Sequence, residues 1–318
     1  MISIVIPVYN TPVSLLKLCI HSALAQTVVE KEVVIVNDGS TSRETVQYLN
    51  ELASIEKETL RVIHTDNQGV SAARYTGVQE ARGEYVVFLD ADDAMNVYLC
   101  ERLLELLYSG EYDMAEIAAK EVLELAVIDI EEKVEKKESY YISGTENLEK
   151  LMIESCGRPI NWAPWGKIFR RSLLLKTYRV HHGIYRGEDV VALAEYLTVC
   201  HSVVCAEEPL YYYNKGNDGS ATQSLTWKTL TIADCWVAVY GIQKETQCIE
   251  AMEIAGVLAT EALIGAVVHA KRRNAKDKIL HYSRLLRGFK EYKKRLSKKN
   301  QVKMYIILYI PWFYRFWK

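Results

Sequence analysis

Two carboxylates one residue apart, Asp90 and Asp92 in FLDADD (88–93), are the sharpest chemical feature of this sequence. In an extended segment the side chains at i and i+2 lie on one face, so both acids can address one cation. Hard oxygen ligands suit Mg2+ or Mn2+, which keep several waters and bind a substrate phosphate as well. No Walker lysine loop and no GxGxxG follows the first apolar run, so P-loop and dinucleotide-binding readings lack their phosphate cradles. A carboxylate-held cation without a glycine cradle suggests that the metal itself clamps a diphosphate. Three further polar clusters accompany the acids: Pro7-Val8-Tyr9-Asn10, Asn37-Asp38-Gly39-Ser40 and Thr65-Asp66-Asn67-Gln68-Gly69. Each alone reads as a capped turn, because Asx and Gly are ordinary turn residues. Four in succession are harder to explain that way.

Each cluster follows an apolar run rich in Val and Ile: ISIVIP (2–7), EVVIVND (32–38), RVIH (61–64) and YVVFLD (85–90). None alternates cleanly, so each is expected to be a strand buried on both faces of a parallel sheet. Ligands of open α/β sheets bind outside the carboxyl ends of the strands, where these clusters would lie. The intervening segments read as helices. The first has Thr11 as N-cap and Pro12 at N1, and the second opens on Thr41 and Glu44 at capping-box spacing. The third runs from about Val70 to Arg82 and stops at Gly83, taken as a C′ residue. The pattern βαβαβαβ predicts a doubly wound α/β half. Beyond Asp93 a helix is expected at 96–108, a surface strand or loop at 129–138, and helices near 146–155, 187–200 and 226–270.

The chain has 318 residues, 49% hydrophobic and 25% charged, which suits a globular protein of roughly two lobes. MISIVIPVYN lacks the basic and long apolar regions of a secretory leader, so none is expected. The seven cysteines are scattered without a CxxC pair and read as reduced thiols in a cytoplasm. From Lys271 onward sixteen Lys or Arg stand against Asp277 and Glu291, a net of +14, which leaves −16 on the rest of a chain whose total is −2. That asymmetry points to a polyanionic partner for the C-terminal end.

The set PVYN (7–10), VNDGSTS (36–42), NQGVSAAR (67–74) and FLDADD (88–93), in this order, resembles glycosyltransferase family 2. The resemblance is strong over about residues 1–100 and looser to about 225. It implies an α/β GT-A fold: a doubly wound, mostly parallel sheet, an acceptor-side α+β lobe and a helical C-terminal extension. The divisions expected are 1–110 for the nucleotide sugar, 111–225 for the acceptor and the catalytic base, and 226–318 for a basic helical extension with an aromatic tail. Pro7, Val8 and Tyr9 would line the uracil and ribose pocket, and Asp38 would accept from uracil N3–H. Asn67 and Arg74 would complete the nucleotide site, although Arg74 reads equally as a solvated helix residue. Asp90, with Ala91 beside it, would meet the ribose or a metal-bound water. Asp92 would ligate the metal, and Asp93 would cap the next helix.

Downstream, GRPINWAPWGKIFRRSLL (157–174) resembles the family's acceptor-side stretch. Trp165 would stack on a sugar face, with Lys167 steadying it or meeting a phosphate; the alternative is that both pack within the second lobe. YRGEDVVALAEYL (185–197) resembles the motif that supplies the base, assigned to Asp189 with Glu188 as neighbour or understudy. Asp189 equally suits the first turn of a helix, where the dipole favours an acid. Lys215 stands where relatives often carry a loop Arg over the diphosphate, and a lysine offers a point charge instead of a fork.

These parts imply an inverting transferase that uses Mn2+ or Mg2+ to neutralise the leaving diphosphate and one carboxylate to deprotonate the acceptor. The expected partners are a nucleotide-sugar donor and a glycan or lipid-linked acceptor of cell-surface polysaccharide synthesis. An anionic membrane surface is expected at the tail, where MYIILYIPWFY (304–314) is too short to span a bilayer and is preceded by many lysines. The expected place is therefore the cytoplasmic face of the plasma membrane, as a peripheral protein. Packing of the tail on the acidic body is the alternative. No recognition motif supports nucleic acid, and self-association into a homo-oligomer is left open. A sugar nucleotidyltransferase or a catalytically silent membrane-associated protein of the same fold are the competing readings.

Overall fold

The computed structural model describes residues 1–55, 58–144, 161–216 and 227–310. The four Val/Ile runs are β1 (Ile2–Val8), β2 (Lys31–Asp38), β3 (Leu60–Thr65) and β4 (Tyr85–Phe88). They pair in parallel in the order β3-β2-β1-β4, so all four carboxyl ends share one edge. Three helices make the crossovers: α1 (Val13–Leu24), α2 (Arg43–Ser54) and α3 (Val70–Glu80). Ile4 and Ile6 of β1 point into the core covered by α1, and Val5 between them points into the other. A layer on each face is why these strands carry no polar alternation.

The helix ends differ from expectation by a residue or two. Pro12 itself occupies the N-cap of α1, without a side-chain cap from Thr11. α2 is capped by Ser42, whose Oγ accepts from Thr45 N at 3.4 Å, because Thr41 is drawn toward Asn10 instead. α3 ends at Glu80, two residues before the expected Arg82. Gly83 is no C′ residue: a Cβ there would lie 2.7 Å from Ser3 N, so the missing side chain lets the α3–β4 turn lie against β1.

Past β4 come β5 (Ala94–Met95), α4 (Leu99–Tyr108), β6 (Met114–Val122), β7 (Ser139–Ser143), β8 (Lys167–Arg170), α5 (Arg171–Thr177), α6 (Glu188–Leu197) and β9 (Ser202–Asn214). β8 lies antiparallel between β4 and β6, β9 runs parallel to β6, and β7 pairs with β9. The expected acceptor half therefore extends the same sheet as a mixed continuation. The charged stretch 129–138 is a connection without strand, and the strand follows it as β7. The helix expected at 146–155 lies outside the described residues.

The expected 226–270 helix is two elements, α7 (Ile232–Glu245) and α8 (Ile249–Arg272), joined at Thr246–Cys248 and preceded by a single 3-10 stretch (Trp227–Thr231). α9 (Lys276–Arg287), a further 3-10 stretch (Lys290–Arg295) and α10 (Lys298–Tyr309) follow. α8 is long and apolar enough to cross a membrane, but half of its apolar window is buried against the rest of the protein. Its Ala251, Ala255, Ala259 and Leu263 join the core that also holds Val5 and Val34 of the sheet. Met304 and Ile307 of α10 enter the same core, so this part of the aromatic tail packs on the body. Pro311, Trp312, Tyr314 and Trp317 lie outside the described residues.

Candidate active site

The carboxyl edge of the parallel strands is laced by side chains from one strand end to the next. Asn10, held at φ +52°, follows β1 and accepts with Oδ1 from the N–H groups of Thr41 (2.7 Å) and Ser42 (2.8 Å) beyond β2. Asp38, the last residue of β2, is buried and accepts from Gln68 N at 2.8 Å and Gly69 N at 2.9 Å. It thereby fixes the turn into α3. Gly39 has φ +63°, and a Cβ on it would lie 2.6 Å from Asn67 N, so only glycine lets the β2 and β3 ends approach this closely. Pro7 and Val8 lie buried inside β1, whereas Tyr9 and Asn67, also expected at the nucleotide, are exposed.

Arg74 makes the next link. It projects from α3, is almost wholly buried, and its Nη2 lies 2.7 Å from Asp90 Oδ1. The solvated-helix reading of Arg74 is thus wrong. Burial works against its charge, but Asp90, Tyr178 and Glu188 around it hold the guanidinium firmly protonated. Ala91 is buried between the two acids, and Asp92 is half-buried with its backbone carbonyl accepting from Asn214 Nδ2 at 3.1 Å. Asp93 does not cap a helix, since α4 begins six residues later after Tyr98. It is buried, taking Tyr211 Oη–H on Oδ2 (2.7 Å) and Asn214 N–H on Oδ1 (2.8 Å). Burial, then the charges of Asp90 and Asp92, push its carboxyl up to about 8 despite those two hydrogen bonds.

A carboxyl that keeps its proton near neutrality marks an excess of negative charge at this corner, which a divalent cation would relieve. Among the described residues no three His, Cys, Asp or Glu side chains gather into a complete metal cage. Two carboxylates, Asp90 and Asp92, are what the chain offers. That suits Mg2+ or Mn2+, which fill the remaining positions with water and substrate phosphate.

The second pair of acids arrives from far along the sequence. Gly187, at φ +87°, precedes α6, and a Cβ on it would lie 2.6 Å from Cys235 Sγ of α7. This close turn sets Glu188 and Asp189 in the first turn of α6. Asp189 Oδ1 accepts from Val190 N at 2.8 Å, the helix-start role anticipated for it. Burial, then the neighbouring Asp189 charge, pushes Glu188 up to about 7. Burial also raises Asp189, while Arg74 pulls it back, and the Asp90 charge is felt by both acids. The Arg74 charge is therefore felt by Asp90 of the DAD pair and by both α6 acids.

On the acceptor side, Trp165 bridges to Phe88 at the end of β4 and stacks on Tyr211 (4.7 Å, 11°) and Tyr213 (5.6 Å, 21°) of β9. Tyr211 Oη in turn accepts from Asp90 N at 3.3 Å. The Trp165 ring thus leans on the strand that braces the acids, a packing role, and it stays half-exposed. Lys167 is wholly buried, donating to Ala163 O at 2.8 Å and lying 3.3 Å from Glu116 Oε2. It cannot meet a substrate phosphate from there, which corrects that half of its expected role. Lys215 is half-exposed and paired with Glu121 at 2.7 Å, and the rest of its loop (217–224) lies outside the described residues.

Asn10, Tyr211, Asn214 and Glu116 are the site-supporting residues that were not singled out for the site. Asn10 was the closing residue of PVYN, and Tyr211 and Asn214 sat together in YYYN before the suspected loop. Their partners lie 31 to 122 residues away, so spacing alone could not assign them.

Residues 3–119 match the family described as Glycosyl transferase family 2. Among curated proteins, the chain is 28% identical over 217 residues to the putative glycosyltransferase EpsH of Bacillus subtilis, covering 67% of this chain and 60% of EpsH. It is 27% identical over 239 residues to a cholesterol galactosyltransferase of Borreliella burgdorferi, covering 71% of this chain and 63% of that protein. The chain thus spans less than two thirds of these relatives' length. Among solved structures, S. aureus TarS 1–349 in complex with UDP-GlcNAc superposes with a TM-score of 0.62 at 19% identity, over 96% of this chain and 79% of that one. That likeness carries the fold and bears out the GT-A expectation.

Proposed function

We propose, from the premise that residues 3–119 belong to glycosyltransferase family 2, that this chain moves a sugar from a nucleotide diphosphate to an acceptor hydroxyl with inversion at the anomeric carbon. The nucleotide read from the strand-end motifs is UDP, and the acceptor is a glycan or lipid-linked glycan of cell-surface polysaccharide synthesis. One observation carries the reading. Arg74 lies 2.7 Å from Asp90 and its charge is felt by Glu188 and Asp189, which supports a leaving-group site with a base beside it.

A cation held by Asp92 and Asp90, Mn2+ or Mg2+, supplies neutralisation of the departing diphosphate. Every other role falls to side chains of the chain itself. Asp189 takes the acceptor proton, and Glu188 at its side, raised to about 7, is poised to exchange a proton near neutrality. Arg74 keeps the Asp90 carboxylate in one orientation. Asp38 holds the 68–69 backbone, and each of its oxygens keeps a second lone pair for a uracil N–H. Tyr9 and Asn67 flank the entry, and Trp165 offers its half-exposed ring to a sugar face. The basic C-terminal helices favour peripheral attachment to the anionic inner leaflet, where a lipid-linked acceptor is presented.

The test is UDP release over a panel of UDP-sugars, with Mn2+, with Mg2+ and with excess chelator. Release from one sugar nucleotide, lost in chelator and lost in Asp92→Asn with the melting temperature kept, supports the reading. Undiminished release in chelator removes the metal role, and no nucleotide binding at all favours the silent membrane protein.

A further inference from the structure

Glu116 and Lys167 face each other across the β6–β8 ladder, in register, and both are buried. A buried ion pair is weak evidence for stability, because desolvating two charges costs about what their attraction returns. What this pair touches is more informative. Glu116 Oε1 accepts from Asn161 N at 2.8 Å, and Lys167 Nζ donates to Ala163 O at 2.8 Å. Asn161 Oδ1 takes Ala163 N–H at 3.0 Å, and Ile117 N donates to the carbonyl of Gly166, itself at φ +69°. The two charged ends thus grip the same short loop, 161–166, at its start and its middle. The residue this loop presents is Trp165, on the ring of Tyr211, whose hydroxyl bridges Asp90 N and Asp93 Oδ2.

We propose that the Glu116–Lys167 pair is a positioning device that clamps the 161–166 loop, so that Trp165 buttresses Tyr211 and, through it, the acid turn 90–93. The charges do not touch substrate. Their use is geometric: a carboxylate and an ammonium anchor backbone N–H and C=O groups more tightly than neutral side chains do. Two charge-assisted hydrogen bonds hold the part of the loop before Trp165, where the Phe88–Trp165 bridge and the Ile117–Gly166 hydrogen bond do not reach, and so help to keep the aromatic platform fixed. The consequence for the reaction rests on the transferase reading above, whereas the clamp itself does not.

The decisive variant is the neutral double replacement Glu116→Leu/Lys167→Met, because removal of one partner alone strands a buried charge and unfolds the protein for an unrelated reason. Its companions are Trp165→Ala, which deletes the platform, and Trp165→Phe, which keeps a ring. Amide exchange followed by mass spectrometry reads the loop directly, and UDP release from UDP-GlcNAc or the best donor of the panel reads the site. With its melting temperature kept, the double variant should exchange the Asn161 and Ala163 amides at least about tenfold faster while β4 and β8 stay protected. It should lose UDP release to the level of Trp165→Ala, with UDP affinity within about twofold of the parent and Trp165→Phe recovering most of the rate. A double variant that keeps both loop protection and UDP release overturns the proposal and leaves the pair as packing. If the parent protein neither binds UDP nor releases it from any donor, the transferase reading fails, and the exchange experiment still decides the clamp.

Discussion

Arg74→Met removes the cation that pairs with Asp90 and is felt by both α6 acids. Its side chain is 6% exposed and that of Asp90 26%, so the pair is buried on one side and wetted on the other. Stripping one partner from a buried pair costs 3–5 kcal/mol as a rule, and the partial hydration of Asp90 places this case near the lower end, at about 3 kcal/mol. The second effect falls on the base. Arg74 holds the carboxyls of both Glu188 and Asp189 down against burial. Losing that opposite charge should raise both carboxyls further. The acid limb of the rate profile, set by deprotonation of this coupled pair, should move the same way. At pH 7 the ionised fraction of the pair then drops, a loss of rate before any damage to donor binding. Arg74→Lys keeps the charge and should leave the limb in place while weakening the Nη2–Oδ1 contact to Asp90. The assay is initial UDP release from about pH 5.5 to about 9.5, alongside urea unfolding of the same variants. An acid limb and an unfolding midpoint both unchanged in Arg74→Met would refute the argument.

Asp189→Asn should lower kcat by about 10²–10⁴ with UDP affinity nearly unchanged, and a larger loss in Glu188→Gln would exchange the two assignments. Glu188→Gln should also stabilise the fold as pH rises. A carboxyl raised to about 7 keeps its proton where the unfolded chain has lost it, so the wild-type pair loses stability from roughly pH 4.5 to 7 and the amide does not. Urea midpoints at both ends of that window check the sign, and equal differences at the two pH values contradict it. At the membrane, exposed Lys290, Lys294, Lys298 and Lys299 exchanged together for Glu should cut cosedimentation with anionic liposomes by a hundredfold or more, at about 1 kcal/mol per charge. Deletion after Lys299 is the poorer test, because it removes Met304 and Ile307 from the core.

The parallel half was legible because its physics is local. A strand buried on both faces must be apolar throughout, and β1 and β2 announce themselves by that alone. The mixed half was opaque for the opposite reason. β8 is four residues long, and its Lys167 looks like a surface charge until Glu116, 51 positions earlier, is placed opposite it. β9 carries Glu207 and Pro209 within its run, and its register against β6 shifts at Ala118. The helix caps slipped by a residue because a distant side chain, Asn10, competes for Thr41. Asp38, Asp90 and Asp92 were found from strand ends, whereas the support of Asp93 by Tyr211 and Asn214 exists only in three dimensions.

The unbroken ladder from β1 through β4 and β8 to β6 has a mechanical consequence. The acid turn and the acceptor-side loop hang from adjacent strands whose backbone hydrogen bonds would have to break before the two could part. A two-domain enzyme can swing open to admit a bulky polymer and swing shut to exclude water; a single sheet has no such hinge. Substrate must come to a jaw that is already set, and any shielding of the leaving group has to be done by connecting segments at the rim. On the proposed reading, a glycan end would be presented to this edge from outside, and the orientation of the whole molecule at a membrane would become part of how it selects its acceptor.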